Sequence, residues 1–340
     1  MGSGGIDIIS KLNKAARLFK FGRQVGFYDA LPLARWVARN GHKLQFRSRG
    51  DVYLADSNLL LAKGHPLIPV VLNNVDLMDD LHRISNVNFS LNGNDLIANA
   101  GKIRAIVNNS CDIKTLHEMF VVQLYNFQLP GDLVFIDVGM NIGLASLFFH
   151  SMHEGYSYGF ELIPDTFAAA EANLDLNVKV SMKHTSYPFG LLNCDSEFTL
   201  AVNPDDTVGN SLFHRAQQSD CQSDVAVRVK DAAVAVEEIY SKHPDSTFVL
   251  KLDAEGSEYE ILDRLFEKDL LSRISLLLLE LHPRDDRNPE SIRSQLRSTN
   301  FCWNESIVPS NGCGLLYAYH RAGKGWLKSK SNGKAATCEN

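Results

Sequence analysis

Residues whose types and spacing could do chemistry gather at three places in this chain. The first is the run Val134-Phe135-Ile136-Asp137-Val138-Gly139-Met140-Asn141-Ile142-Gly143. An apolar stretch carrying one acid runs into two glycines spaced four apart, and an apolar helical pattern follows from Leu144 to Phe149. This order predicts a buried strand, a tight turn and a helix. Glycine has no side chain to hold a ligand off, so the turn brings bare backbone against a bound molecule. A second acid, Glu161, ends the next apolar strand, where a nucleotide fold places the carboxylate that accepts ribose hydroxyls.

The second place is Phe248 to Glu258. A strand ends in Asp253 and Glu255, at a glycine turn that opens a helix. Ligands of open α/β sheets bind outside the carboxyl ends of the strands, so these carboxylates should face a cleft. They also have structural readings. Ser257-x-x-Glu260 is a capping-box pattern, and Glu255 and Glu258 would complement the helix N-terminal dipole. The third place is Leu276 to Pro283, an apolar strand with polar groups only at its exit. Glu280 and His282 alternate with Leu281 and so share one face, beside Asp253.

Two chemistries fit these groups. A positioned base takes the proton of a hydroxyl nucleophile, and His282 or Asp253 is the candidate. An imidazole with its ordinary pKa of about 6.5 suits neutral pH better than a carboxylate at about 4. Alternatively Asp253, Glu255 and Glu280 supply the oxygen ligands that Mg²⁺ or another hard divalent cation prefers. Such an ion would lower the pKa of a substrate oxygen.

The glycine turn is not the Gly-x-Gly-x-x-Gly of a dinucleotide site, and Asp137 stands two residues before its first glycine. An acid there repels a pyrophosphate but suits a cationic, phosphate-free ligand such as S-adenosylmethionine. No Gly-x-x-x-x-Gly-Lys-[Ser/Thr] occurs, which removes a P-loop. The bland reading is a turn that only packs strand on helix.

The elements that must position these residues alternate from 133 onward. Strands are predicted at 133–137, 157–161, 178–184, 197–202, 225–229, 247–252 and 275–281. Helices are predicted near 143–152, 165–175, 231–241, 257–268 and 289–298. This is an α/β fold: a mostly parallel sheet with helices on both faces, with 197–202 and 225–229 as a local antiparallel element. Before it, 6–40 reads as helices broken near Gly22–Gly26 and Pro32. Lys43–Phe46 and Val52–Leu54 alternate like strands. Val87–Leu91, Asp95–Asn99 and Ile103–Asn108 read as a β-meander, and Asp112 as the cap of a helix through about Asn126. The expected organisation is an N-terminal α+β accessory unit at 1–108, the main domain at 109–322 and a polar, disordered tail at 323–340.

The chain has 340 residues, 45% hydrophobic and 22% charged, which is ordinary globular composition with room for one large core and a smaller unit. It has no apolar run of about 18 residues, so no membrane span is expected. The six scattered cysteines include no Cys-x-x-Cys, which favours reduced thiols and a cytoplasmic location. Net charge is -6, yet residues 1–50 carry ten Lys/Arg against only Asp7 and Asp29. This start is either a solvated helix face or an amphipathic helix over 6–24 that rests on an anionic membrane surface. Nucleic acid is not expected as a partner, because the body of the protein is acidic. Nothing in the pattern sets an oligomeric state.

Together the blocks resemble the FkbM family of S-adenosylmethionine-dependent methyltransferases over about residues 112–285. Asp137 to Gly143 matches the family's Asp-x-Gly-Ala-Asn-x-Gly with Met140 for alanine. Phe160-Glu161 matches Phe-Glu-Pro with Leu162 for proline. Lys251 to Glu258 matches Lys-Ile-Asp-x-Glu-Gly-x-Glu with Leu252 for isoleucine, and Glu280-Leu281-His282-Pro283 matches Glu-x-His-Pro. The Asn173–Asn177 helix end and the turn at 209–212 are also similar. The resemblance implies a class I methyltransferase fold and O-methylation of a sugar, glycan, glycolipid or natural product. It places Asp137, Gly139, Asn141 and Gly143 along the methionine and ribose of the cofactor. Glu161 falls on the ribose hydroxyls, and Tyr187 beside the adenine. Two other classes compete: a nucleotide-dependent oxidoreductase, and a non-catalytic cofactor- or partner-binding protein on the same fold.

Overall fold

The computed structural model describes residues 44–46, 51–55, 57–202, 212, 223–307 and 314–321. The expected helices at 6–40, the basic segment 6–24, residues 209–211 and the tail 323–340 lie outside the described residues. The chain divides into two compact units, Met1–Leu124 and Tyr125–Asn340.

In the first unit, β1 (Leu44–Phe46), β2 (Val52–Leu54) and β3 (Leu59–Leu61) form an antiparallel sheet. Helices α1 (Ile68–Asn73) and α2 (Val75–Ser85) follow. Next comes the antiparallel meander β4 (Asn88–Asn92), β5 (Asp95–Ala100) and β6 (Ile103–Ile106), then α3 (Ser110–His117). The cap of α3 is Asn109 rather than Asp112. Asn109 Oδ1 accepts from the Asp112 amide at 2.8 Å, while the Asp112 carboxylate accepts from the Asn108 and Asn109 amides. The helix passes into a π turn over Glu118–Val122 and stops short of Asn126. Asn74, the N-cap of α2, donates to Ser110 Oγ at 2.8 Å, which joins α3 to the first unit. The division between units therefore falls after this helix and not near 109.

The second unit is built on a seven-stranded sheet in the order β15-β16-β14-β13-β7-β8-β9. Its strands are β7 (Leu133–Val138), β8 (Gly155–Phe160), β9 (His184–Tyr187), β13 (Thr247–Leu252), β14 (Ile274–Leu281), β15 (Phe301–Ile307) and β16 (Gly314–His320). Five neighbours, β14 to β9, run parallel, and β16 is antiparallel to both β14 and β15. This is the class I methyltransferase arrangement. Every residue of β7 is buried, which explains its unbroken apolar run.

Helices cover both faces. Val134, Ile136 and Val138 share a core with Val236 and Ile239 of α7 (Ala232–Lys242) and with Ile261 and Leu265 of α8 (Glu258–Glu267). On the opposite face Phe135 stacks on Phe149 of α4 (Leu144–Met152), centroids 5.0 Å apart. Helices α5 (Pro164–Asp175), α6 (Val178–Ser181) and α9 (Pro289–Ser298) complete the set. A smaller sheet, β10 (Gly190–Leu192), β12 (Ser223–Asp231) and β11 (Ser196–Val202), contains the expected antiparallel β11–β12 pair. Among the described residues, no helix is long and apolar enough to cross a membrane.

One predicted strand is a helix. Over 178–184 the alternation Val178, Val180, Met182 mimics a strand. Instead the Val180 and Ser181 amides donate to Asn177 O, closing a helical turn that leaves Val178 and Met182 exposed, and the strand begins only at His184.

Candidate active site

The site is built where β7 and β13 end side by side. Their register pairs Asp137 with Lys251 and Val138 with Leu252, so the two exit turns emerge together. They touch through backbone. Gly139 has φ +75, and a Cβ there would lie 1.8 Å from Asp253 O. The glycine is required by this neighbour. The Asp253 amide donates to Val138 O at 3.1 Å, and the Gly139 and Met140 amides both donate to Phe160 O of β8. Met140 is buried and fills the space above Gly159, where a Cβ would come 2.1 Å from its sulfur. Met140 is not on the pocket lining, whereas Leu162 is.

Asn141 takes a left-handed conformation, φ 52, which asparagine tolerates better than most residues. Its amide donates to Glu161 Oε2 at 2.9 Å, and the Ile163 amide donates to Glu161 Oε1 at 2.9 Å. The carboxylate is thus fixed by backbone donors on both oxygens. Burial raises its pKa, and those amides oppose the rise. Asn141 lines the pocket, and its Oδ1 is buried without a hydrogen-bond partner.

A pocket opens here. Gly139, Asn141 and Glu161 form one polar edge, and Asp253, Ala254 and Glu255 the other. Leu162, Ile163, Leu191 and Val229 make an apolar wall. A polar edge beside an apolar wall fits a nucleoside, with its hydroxyls on Glu161 and its base against the wall.

Three expected cofactor residues are not on this lining. Asp137 is fully buried behind the turn, where its Oδ2 accepts from Ser146 Oγ at 2.8 Å and its Oδ1 lies 3.2 Å from Lys251 Nζ. Gly143, φ +83, is the N-cap of α4. Tyr187 stacks on Phe160 at 4.8 Å and packs against the core.

Lys251 was not among the expected site residues, although a lysine inside the apolar run Phe248–Leu252 is a visible signal. Its side chain is 4% exposed. Nζ donates to Gly139 O at 2.5 Å and lies 3.2 Å from Asp137 Oδ1 and 3.4 Å from Asp253 Oδ2. Burial alone would lower its pKa, but Asp137 and Asp253 outweigh that and hold it above the ordinary lysine value. The buried Tyr125 ring lies 5.9 Å from the ammonium. Its hydroxyl is pushed well above the usual range by burial, then by the charges of Asp253, Glu280 and Asp137.

His282 follows β14. Its Nδ1 is 2.9 Å from Glu258 Oε1, and its Nε2 is 3.4 Å from Glu255 Oε2. Burial would depress its pKa, but Glu258, then Glu255 and Asp253, raise it to about 10. The ring is therefore an imidazolium at neutral pH, not the base expected of an ordinary imidazole. Glu258, read from the sequence as complementing the helix N-terminal dipole, is the partner of the histidine. It is fully buried and also accepts from the Ala254 and Gly256 amides, bracing the acidic turn.

Ligand atoms of Asp253, Glu255 and His282 lie within 4.8 Å of one another. Glu280 is not in that group; it sits on β14 in register with Leu315 of β16. The expected capping box is also absent. Ser257 makes no side-chain cap, and Glu260 pairs with Arg284 and Arg287. Arg284 Nη1 further donates to Gly256 O at 2.9 Å.

Residues 137–301 match the model of a family described as the methyltransferase FkbM domain. No curated protein matches the chain. Among solved structures, the N-terminal domain of human METTL16 in complex with SAH is 13% identical, with a TM-score of 0.36, covering 86% of this chain and 96% of that one. Methyltransferase FkbM from Methylobacillus flagellatus KT is 12% identical, with a TM-score of 0.39, covering 73% of this chain and 60% of that one. Precorrin-6y C5,15-methyltransferase from Geobacter metallireducens GS-15 is 14% identical, with a TM-score of 0.34, covering 58% and 86%.

Proposed function

We propose that this chain, which carries a methyltransferase FkbM domain, methylates a hydroxyl on a sugar, glycan, glycolipid or natural product. The observation that carries this reading is one pocket holding both Glu161, pinned by two amides, and the half-buried carboxylate of Asp253. S-adenosylmethionine, when bound, supplies an electrophilic methyl group on its sulfonium. Glu161 accepts the ribose hydroxyls, Asn141 Oδ1 takes a donor of the ligand, and the Leu162–Leu191–Val229 wall receives the adenine.

Alignment of acceptor and cofactor can supply about 7–11 kcal/mol of such a barrier. A hydroxyl must also lose its proton, and a placed base adds roughly 10²–10⁴-fold. Asp253 is that base. Its side chain is 28% exposed at the pocket edge, whereas His282 already holds its proton. His282 instead anchors Glu255 and Glu258.

A second reading is a divalent cation on Asp253, Glu255 and His282, favoured by the proximity of their ligand atoms. Glu258 would orient the ring from Nδ1, in the carboxylate–histidine arrangement common at metal sites. The imidazolium would have to give up its proton to bind.

The test is methyl-labelled S-adenosylmethionine incubated with extract fractions of small molecules, glycans, lipids and proteins, with and without chelator. Label on a glycan or small hydroxylated product supports the proposal. Label on protein or on a nitrogen overturns the acceptor. Loss of label with chelator favours the cation. Cofactor binding without label in any fraction favours a non-catalytic binding protein.

A further inference from the structure

Lys251 is a buried charge that the proposed reaction does not use. A buried lysine is costly unless it is paired and its remaining protons find acceptors, and Asp137 supplies the nearest opposite charge at 3.2 Å. Yet the ammonium does more than meet Asp137. It donates to Gly139 O at 2.5 Å and reaches Asp253 Oδ2 at 3.4 Å. The first contact is on the cofactor turn and the second on the acidic turn. These turns already meet where Gly139 lacks a Cβ, and the Asp253 amide donates to Val138 O.

From these contacts we infer that Lys251 is a positioning residue that locks the Asp253 turn onto the Gly139 turn, so that cofactor binding and the placement of Asp253 are one event. The groups around the ammonium are Asp137 from β7, Asp253 after β13, and the Tyr125 ring. The inference rests on S-adenosylmethionine as the cofactor and Asp253 as a pocket residue. It makes the lysine of the apolar strand a part of the site rather than of the core.

The test separates this role from that of a counter-ion by removing Asp137 first. In full-length protein carrying Asp137→Asn, Lys251 keeps only the partly exposed Asp253 as a carboxylate partner, and adding Lys251→Met removes the buried charge altogether. S-adenosylhomocysteine, which lacks the sulfonium charge, is titrated calorimetrically against Asp137→Asn alone, against it with Lys251→Met, against it with Asp253→Asn, and against all three together. The expected result is that Lys251→Met weakens binding about tenfold in the Asp137→Asn background, and that Asp253→Asn erases most of this difference. Equal affinity with and without Lys251 overturns the inference. So do losses from Lys251→Met and Asp253→Asn that simply multiply.

Amide exchange on the same proteins without ligand gives a second readout. Removing Lys251 should speed exchange at Asp253 and Ala254 while the centre of β7 stays protected. Unchanged exchange there also overturns the inference. If the wild-type protein binds neither S-adenosylmethionine nor S-adenosylhomocysteine, the cofactor reading fails, while the exchange measurement still decides the role of Lys251.

Discussion

His282 Nδ1 lies 2.9 Å from Oε1 of Glu258, a carboxylate with no exposed surface. The pair converts a histidine that a sequence suggests as a base into a structural cation. With its pKa raised to about 10, the ring holds its proton throughout the physiological range and serves three acids: Glu258, Glu255 and Asp253. Its partner Glu258 in turn accepts the Ala254 and Gly256 amides. One ion pair thereby fixes the whole turn that carries Asp253.

The pair makes stability depend on pH in a definite direction. The folded pKa lies above the unfolded value of about 6.5, so the folded state holds the extra proton between them. This contribution is complete below about 6.5 and is lost as pH rises through about 10. His282→Gln should therefore cost most stability at pH 6, with the gap to wild type narrowing steadily by pH 10. Urea unfolding at pH 6, 8 and 10 measures it. A gap that widens with pH would mean that the ring is neutral in the folded protein.

Gly139→Ala tests the contact between the turns. The new methyl would fall on the Asp253 carbonyl, and the positive φ alone costs about 1–2 kcal/mol for a residue with a Cβ. The two turns must part, so S-adenosylmethionine affinity should fall at least about tenfold. Gly143→Ala shares the positive φ, but its Cβ would meet Ala170 only at 3.7 Å. It should lower the melting temperature with a smaller effect on affinity. Equal losses of affinity would assign the Gly139 effect to backbone strain alone.

Most of the second unit could be read from the sequence because its signals are local. The run from Leu133 to Val138 is apolar because all of it is buried, and the acids at strand ends mark the carboxyl edge. Where the reading failed, the deciding interaction was not local. The pairing of His282 with Glu258 joins two segments and inverts the expected role of the histidine. Asp137 looks like a ligand group beside its glycine, yet it faces Ser146 and Lys251 behind the turn. Residues 178–184 alternate like a strand, but Asn177 closes a helical turn there. The β15–β16 hairpin was missed altogether. Its strands are separated by 308–313, and β16 is paired on both sides only through tertiary contacts with β14 and β15.

Glu161→Gln isolates the polar edge of the pocket. Glutamine presents one oxygen where the carboxylate meets two amides, so either the Asn141 or the Ile163 N–H loses its acceptor. Hydrogen bonds to a charged group are worth about 1.5–3 kcal/mol. Cofactor affinity should fall roughly 10–100-fold while the circular dichroism spectrum is retained. Unchanged affinity would remove Glu161 from the ribose site.

A second set of histidines makes stability fall on the acid side. His150 Nε2 and His184 Nδ1 flank Ser157 Oγ at 2.7 and 2.6 Å, in a network linking α4, β8 and β9. Burial, reinforced at each site by a neighbouring base, depresses His150 to about 4 and His184 to about 3. The unfolded chain takes up protons at about 6.5, and the folded chain resists until near those values. Stability is thus present above about 6.5 and is lost as pH falls toward 4. His150→Gln removes one of the two groups, so stability measured by urea at pH 7, 5.5 and 4.5 should decline less steeply than in wild type. The slope should ease by up to about 1.4 kcal/mol per pH unit, the value of one proton. An unaltered slope would show that His150 already titrates normally in the folded protein.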